Sequence, residues 1–233
     1  MNNLALLQAL AFEPRNAFVE LDARPRFWWP LLVVALASAA VSAWYVSFVD
    51  LEWLTDQQMR SSAFGQNMTE AEIAQMAQGA SGRRGVQVVI VGLTSSLGVA
   101  LVLAITALYY MLAGKVTGVE RSFRHWLALA SWTSTPTLLA LIPAAFILVT
   151  AVSNQIGQEA LQPLSLNALL FHRAPGDPGY SLLNSLNLLQ FVSLYLAAFG
   201  VRVWSRRSWL FSIVFTALPL VLVFGIWAFF ALR

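Results

Sequence analysis

The side chains best placed to do chemistry in this sequence are hydroxyls and amides inside long apolar stretches. One stretch carries hydroxyl residues beside a proline: Ser131, Thr133, Ser134, Thr135 and Pro136. The next carries Asn184, Asn187 and Gln190 at spacings of three, roughly one helix face. Proline frees a backbone carbonyl that nearby hydroxyls can satisfy, and amides can bond across helices or face water near a span's end. We favour a buried, hydroxyl-stabilised kink, and keep a polar solute site as the alternative.

Residue types that usually carry catalysis or bind metals are scarce. The 233 residues include no cysteine and two histidines, His125 and His172. Disulfides, thiolate catalysis and cysteine-based metal sites are therefore excluded. No ionisable residue lies inside the apolar stretches, which argues against proton-coupled carriers and intramembrane catalysis. We predict a protein that is not an enzyme and has no cofactor and no metal site.

Five long stretches exclude all 14 basic and all 11 acidic residues of the chain. They cover residues 27–49, 86–114, 126–152, 181–201 and 208–232. A bilayer core needs roughly 20 apolar residues of helix, and soluble helices almost always show a charged face. The sequence therefore predicts an all-α fold, a polytopic membrane helical bundle with five transmembrane helices, forming one membrane domain over 1–233.

Basic residues indicate the orientation of these spans. Nine fall on the side of the N-terminus: Arg15, Arg24, Arg26, Lys115, Arg121, Arg124, Arg202, Arg206 and Arg207. The other side has Arg60, Arg83, Arg84, Arg173 and Arg233. Because cytoplasmic loops carry the excess of Lys and Arg, we expect the N-terminus inside and the C-terminus outside. A basic excess this small does not indicate nucleic-acid binding.

Short helices are expected outside the lipid. Residues 1–26 form a cytoplasmic segment whose helices either lie at the interface or pack on the bundle, and both alternatives stay open. In the first extracytoplasmic loop, Thr55 with Gln58 and Thr69 with Glu72 have the spacing of capping boxes. They predict a helical hairpin with helices over about 56–64 and 70–78.

Small residues recur every four positions in two of the spans. The second span has Gly92, Ser96, Ala100 and Ala104, and the first has Ala35, Ala39 and Ala43. Small side chains let helix backbones approach closely in lipid. We interpret these stripes as packing seams, within the bundle or between copies in a homo-oligomer.

Three stretches carry a family likeness across most of the chain. They are Pro14 to Phe18 with the run RPRFWWP at 24–30, the glycine-containing basic turn at 114–123 leading into LALASW at 127–132 and Pro136, and Gly200 followed by Ser208. In this order they resemble the Ypt-interacting protein family (the Yip one domain proteins), in a bacterial form. The resemblance implies a five-span bundle with a cytoplasmic N-terminus, in the bacterial cytoplasmic (inner) membrane. Eukaryotic members bind prenylated Rab-type GTPases in vesicle traffic, and no catalytic residues are defined in the family.

Two functional hypotheses follow from these patterns. The first is a non-enzymatic integral membrane protein that organises membrane components through helix packing or partner binding. Its partners would be the lipid bilayer, other membrane proteins or further copies of itself, and no nucleic acid. The alternative is a transporter or channel for a small neutral or lipid-like solute, with its site at the third and fourth spans. An enzyme acting on lipid is disfavoured because no nucleophile and base occur together in the spans.

Overall fold

The computed structural model describes residues 1–62 and 65–231. Within them the chain forms eleven α-helices, which we number in chain order. They are α1 (Asn3–Phe12), α2 (Pro14–Ala23), α3 (Trp28–Phe48), α4 (Leu51–Ser61), α5 (Glu70–Ser81), α6 (Arg84–Thr117), α7 (Phe123–Thr133), α8 (Leu141–Thr150), α9 (Tyr180–Ser185), α10 (Leu188–Ser205) and α11 (Trp209–Ala231).

Five helical segments of the described chain are long and apolar enough to cross a membrane. They are α3, α6, the segment Phe123–Thr150 containing α7 and α8, α10 and α11. This confirms the predicted all-α bundle with five spans. The prediction rested on the absence of charged residues from these stretches. In lipid, a helix satisfies its own backbone hydrogen bonds and exposes apolar side chains to the acyl chains. The predicted last residue of the fifth span, Leu232, lies outside the described residues.

The third span is interrupted in the middle. A 3₁₀ helix over Thr135–Ala140 separates α7 from α8. Pro136 lacks a backbone donor, and the tighter 3₁₀ turn accommodates this loss. Pro143 lies in the first turn of α8, where a missing donor costs little.

The fourth span begins later than the sequence predicted. Residues 180–185 form the separate helix α9, and α10 runs from Leu188 to Ser205 instead of occupying 181–201. Asn187 and Gln190 set this boundary. The side chain of Asn187 accepts a hydrogen bond from the backbone N–H of Leu189, and the side chain of Gln190 accepts one from the backbone N–H of Asn187. This reciprocal capping starts a helix at Leu188. Hydropathy does not locate this helix start, because Leu182 and Leu183, which precede it, are apolar too.

The predicted hairpin forms, with one capping box correct and one wrong. Thr69 and Glu72 make the box that starts α5. Thr55 lies inside α4 instead, whose first turn is capped by the carboxylate of Asp50. The earlier start places Leu51 and Leu54 in the buried cluster with the end of α3. Phe64, the predicted end of the first hairpin helix, lies outside the described residues.

The two small-residue stripes meet at one point that the structure resolves. A Cβ atom added to Gly92 would lie 3.7 Å from the Cβ of Ala43 and 4.0 Å from the carbonyl of Ala39. The stripe of α6 therefore packs on that of α3 at this position. Small side chains allow this approach, and here they serve contacts within one chain.

Candidate functional site

The largest buried cluster among the described residues lies toward one end of the bundle. We call this end the basic end and define it as residues 1–27, 114–126 and 202–209. Here α2 is pressed against α7 and α10 by Ala17, Phe18 and Leu21, all fully buried. The N-terminal helices thus pack on the bundle. They also keep a second face, on which Leu4, Phe12 and Val19 are exposed.

Two tryptophans lock the N-terminal segment in place through backbone carbonyls. Trp204 of α10 donates its ring N–H to the carbonyl of Phe18 at 2.8 Å. Trp132 of α7 donates to the carbonyl of Arg26 at 2.6 Å. A buried indole usually finds such a partner. Here the bond from Trp204 attaches α2, and the bond from Trp132 attaches the chain entering α3.

Gly200 makes the crossing of α2, α7 and α10 possible. A Cβ atom at this position would lie 2.4 Å from Cδ1 of Leu129 and 2.8 Å from Cε1 of Phe18. Both neighbours are fully buried, so neither can move without disturbing the cluster. Only glycine fits this contact without rearrangement.

An aromatic cluster continues the same core toward α11. The ring of Trp126 lies 5.5 Å from Trp204, 5.6 Å from Phe215 and 5.8 Å from Tyr110, measured between centroids. These spacings are typical of favourable aromatic pairs. The ring N–H of Trp126 is buried and makes no hydrogen bond within the described residues.

One ion pair joins the N-terminal segment to the turn between α6 and α7. Arg121 donates from Nε to one carboxylate oxygen of Asp22 at 2.6 Å and from Nη2 to the other at 3.0 Å. This fork raises the pKa of the Arg121 guanidinium, mainly through the hydrogen bonds to Asp22. His125 adds a contact between its Nε2 and the carbonyl of Asp22 at 3.2 Å.

The hydroxyls of the third span bond carbonyls of their own turns. Thr133 donates to Leu129 at 2.9 Å, Thr135 to Trp132 at 2.8 Å and Ser134 to Ser131 at 2.9 Å, in each case to a backbone oxygen. Such bonds are typical of a stabilised kink. Ser131 is the exception, because its hydroxyl is fully buried and has no partner among the described residues.

The amides of the predicted site serve the opposite end of the molecule. Asn187 and Gln190 cap α10, and Asn184 accepts a hydrogen bond from the hydroxyl of Ser165 at 3.2 Å. Backbone bonds from Leu166 to Leu186 and from Leu188 to Leu164 pin the preceding loop to the same place. Over residues 1–62 and 65–231, no hydrogen bond joins these amides to the hydroxyls of the third span.

A polar cleft of about 270 Å³ lies at this opposite end, between α4, α9 and the loop that precedes α9. Its lining includes Gln58, Glu159, Gln162 and Tyr180. Burial, followed by the influence of Glu159, raises the pKa of Tyr180 to about 12. Sequence reasoning did not find this cleft, because its walls come from three separated segments.

Carboxylates and histidines do not gather into a metal site anywhere in the described ranges. No group of three or more His, Cys, Asp or Glu side chains there has the arrangement to hold an ion. Sequence reasoning assigned no structural role to Trp132 or Trp204. Their ring N–H groups were the available signal, because a buried indole usually needs a partner, but the carbonyl partners lie 106 and 186 residues away.

Comparison with known proteins gives one match. The family model described as the Yip1 domain matches residues 7–230, nearly the whole chain. Searches of curated proteins and of solved structures gave no significant match. The matched range contains all three stretches on which the resemblance rested, from Pro14 to Ser208. This protein, an integral membrane protein by its five apolar helices, therefore belongs to the Yip1 domain family.

Proposed function

We propose that this protein is a non-enzymatic organiser of membrane components, acting by holding partner proteins at its basic end. The observation that carries the proposal is the double-faced N-terminal segment. One face of α1 and α2 is built into the core through Leu6, Leu10 and Phe18. The other presents Phe12, with 85% of its surface exposed, at the junction of the two helices.

A rigid helix that keeps large apolar side chains exposed is suited to binding. The rigidity comes from the two tryptophan bonds and the Asp22–Arg121 pair described above. Because the segment is already ordered, binding a partner would cost it little conformational entropy. Exposed apolar patches on otherwise packed elements mark interaction sites.

Photocrosslinking in native membranes tests this proposal. A photoreactive residue replaces Phe12, and the matched control replaces the exposed Asn16 on α2. We expect discrete crosslinked proteins from position 12, identified by mass spectrometry, and few from position 16. A chain that stays monomeric and captures only lipid at position 12 would refute the organising function.

A second candidate function is transport of a small neutral or lipid-like solute. Two observations favour it: the third span is broken over Thr135–Ala140, and the buried hydroxyls of Ser131 and Ser193 have no partner in the described residues. Buried polar groups without partners are uncommon and call for water or a ligand. Ser131→Ala and Ser193→Ala should then reduce solute flux in proteoliposomes relative to Ser208→Ala at the basic end. The absence of flux for a panel of neutral solutes in the unaltered protein would exclude this function.

A further inference from the structure

A second cleft, of about 530 Å³, opens at the basic end where α6 turns into α7. It is lined by Lys115, Glu120, Arg121 and Ser122. This volume lies in the range of small-molecule sites, roughly 300–1,000 Å³. The organising function proposed above makes no use of it, since that function rests on the exposed face of α1 and α2.

The lining of the cleft holds one cation, Lys115, that has no ion-pair partner among the described residues, beside the exposed carboxylate of Glu120. Lys115 is exposed and makes no ion pair or hydrogen bond within the described residues. Arg207 lies at the same turn, because its guanidinium donates to the carbonyl of Thr117 and would be 3.7 Å from a Cβ on Gly118. Arg121 is paired with Asp22, so the cationic groups left for an anion are Lys115 in the lining and Arg207 beside it, whose guanidinium also lies 4.6 Å from the centre of the Phe211 ring. Phosphate oxygens are the natural partners of such a set.

The remaining lining groups suit a headgroup that also has hydroxyls. Glu120 is an exposed carboxylate, which accepts hydrogen bonds from hydroxyl donors and repels a second anionic group. The hydroxyl of Ser122 bonds Nδ1 of His125 at 2.7 Å and makes no capping bond to the first turn of α7. The cleft therefore offers cations for one phosphate diester and acceptors for alcohol groups beside it.

An exposed apolar stripe of α6 runs toward this cleft. Its members follow at spacings of three or four residues: Leu97, Leu101, Ile105, Leu108, Leu112 and Val116. This spacing places them along one face of the helix. Val116, with 88% of its surface exposed, directly follows Lys115. An acyl chain lying on the stripe would bring its headgroup to the cleft, which favours a lipid over a free phosphate.

We propose that this cleft binds the headgroup of an anionic phospholipid with a hydroxylated headgroup, of the phosphatidylglycerol class. Lys115 and Arg207 contact the phosphate, Glu120 accepts from the headgroup hydroxyls, and the acyl chains follow the stripe of α6. The site selects this class by charge and by hydroxyl donors together.

Lipid binding to the purified full chain, followed by native mass spectrometry, tests the proposal. The lipids are phosphatidylglycerol, phosphatidylethanolamine and phosphatidylcholine, with soluble glycerol phosphate as the free-phosphate arm. The variant is Lys115→Gln, and the matched control is Arg15→Gln, which removes one exposed positive charge from α2 at the same end. We expect phosphatidylglycerol to bind best, and Lys115→Gln to weaken it about fivefold while Arg15→Gln leaves it nearly unchanged.

Three results would overturn the proposal. An equal loss in both variants would show attraction to the whole basic surface and no discrete site. Competition by glycerol phosphate at the affinity of the lipid would show a small-anion site. Equal or better binding of phosphatidylethanolamine would show that Glu120 recognises an ammonium group instead of hydroxyls. Thermal unfolding of both variants in detergent checks that they remain folded.

Discussion

At the residue scale, single residues at the basic end and next to it connect segments that are distant in sequence. Gly200 leaves room for Phe18 and Leu129 where α2, α7 and α10 cross. Trp204 donates a hydrogen bond to the carbonyl of Phe18, and Arg121 donates to the carboxylate of Asp22. The Asp22 and Arg121 side chains are about one-third exposed, at 33% and 30%. Solvent therefore weakens this pair, and the buried contacts around Gly200 dominate the attachment of the N-terminal helices.

Replacing Gly200 by alanine should destabilise the protein. The added Cβ would overlap Leu129 and Phe18, both fully buried, so the cluster must shift. Overpacking of this kind costs about 1–3 kcal/mol in unfolding free energy. The measurement is the thermal unfolding midpoint in a fixed detergent.

Gly98→Ala is the matched control for this substitution. Gly98 also lies within a spanning helix, and a Cβ there would meet nothing within 4 Å. Because alanine favours helix over glycine by about 1 kcal/mol, its midpoint should stay the same or rise. A Gly200→Ala protein as stable as Gly98→Ala would mean that α2 does not pack on α10 as described.

At the element scale, an exposed ion pair joins the two helices of the α4–α5 hairpin. Arg60 donates to both carboxylate oxygens of Glu70, at 2.9 and 2.6 Å, and also to Asp56. The hydrogen bonds from Arg60 hold the pKa of Glu70 below its usual value of 4.5. The bonds from Thr69, its backbone amide first, lower the pKa of Glu72 in the same way.

These shifts predict that α5 loosens in acid. A carboxyl whose pKa is lower in the folded state contributes stability above its ordinary pKa, and loses that contribution as pH falls through the lowered value. We therefore expect amide protection over residues 70–81 to be constant at neutral pH and to decrease below about pH 4.5. Hydrogen exchange, corrected for the intrinsic rate at each pH, measures it.

The variant Glu72→Gln separates the capping contribution from general acid effects. Glutamine keeps an acceptor for the amide of Thr69 but does not titrate. Its loss of protection on acidification should be smaller than that of the unaltered chain. Identical pH profiles for both proteins would show that Glu72 does not stabilise the start of α5.

At the scale of the whole molecule, both ends are closed by contacts between distant segments. At the basic end, Arg207 reaches Thr117 and Arg121 reaches Asp22. At the opposite end, Tyr45 donates to the carbonyl of Ile156 at 2.8 Å and Asp50 to that of Asn154. The nine basic residues predicted to lie on the side of the N-terminus all fall within the segments that form the basic end. We propose that this end is cytoplasmic.

Labelling of single cysteines tests this orientation directly, since the chain contains no cysteine of its own. We expect Gln78→Cys, on the exposed side of α5, to react with a membrane-impermeant maleimide in intact spheroplasts of a bacterial expression host. Arg15→Cys should react only after permeabilisation. Leu101→Cys, within the second span, is the control and should stay unlabelled in both. The opposite labelling pattern would show that the N-terminus lies outside and the orientation proposed here is wrong.

The sequence alone determined the number of spans, the all-α class and the family. Lipid disfavours charge within a span, so the stretches that lack all 25 charged residues mark the spans without knowledge of any contact. The start of α5 was also predictable, because Thr69 and Glu72 satisfy each other within one turn.

Tertiary structure decided which distant partners some polar groups of the spans find. Asn184 could be predicted to bond across helices, yet it accepts a hydrogen bond from Ser165, 19 residues earlier in the loop that precedes α9. Trp132 and Trp204 bond carbonyls 106 and 186 residues away, which no local pattern encodes. Hydropathy and capping act within a few residues, whereas these bonds, and the cleft beside Lys115, exist only once distant segments have packed together.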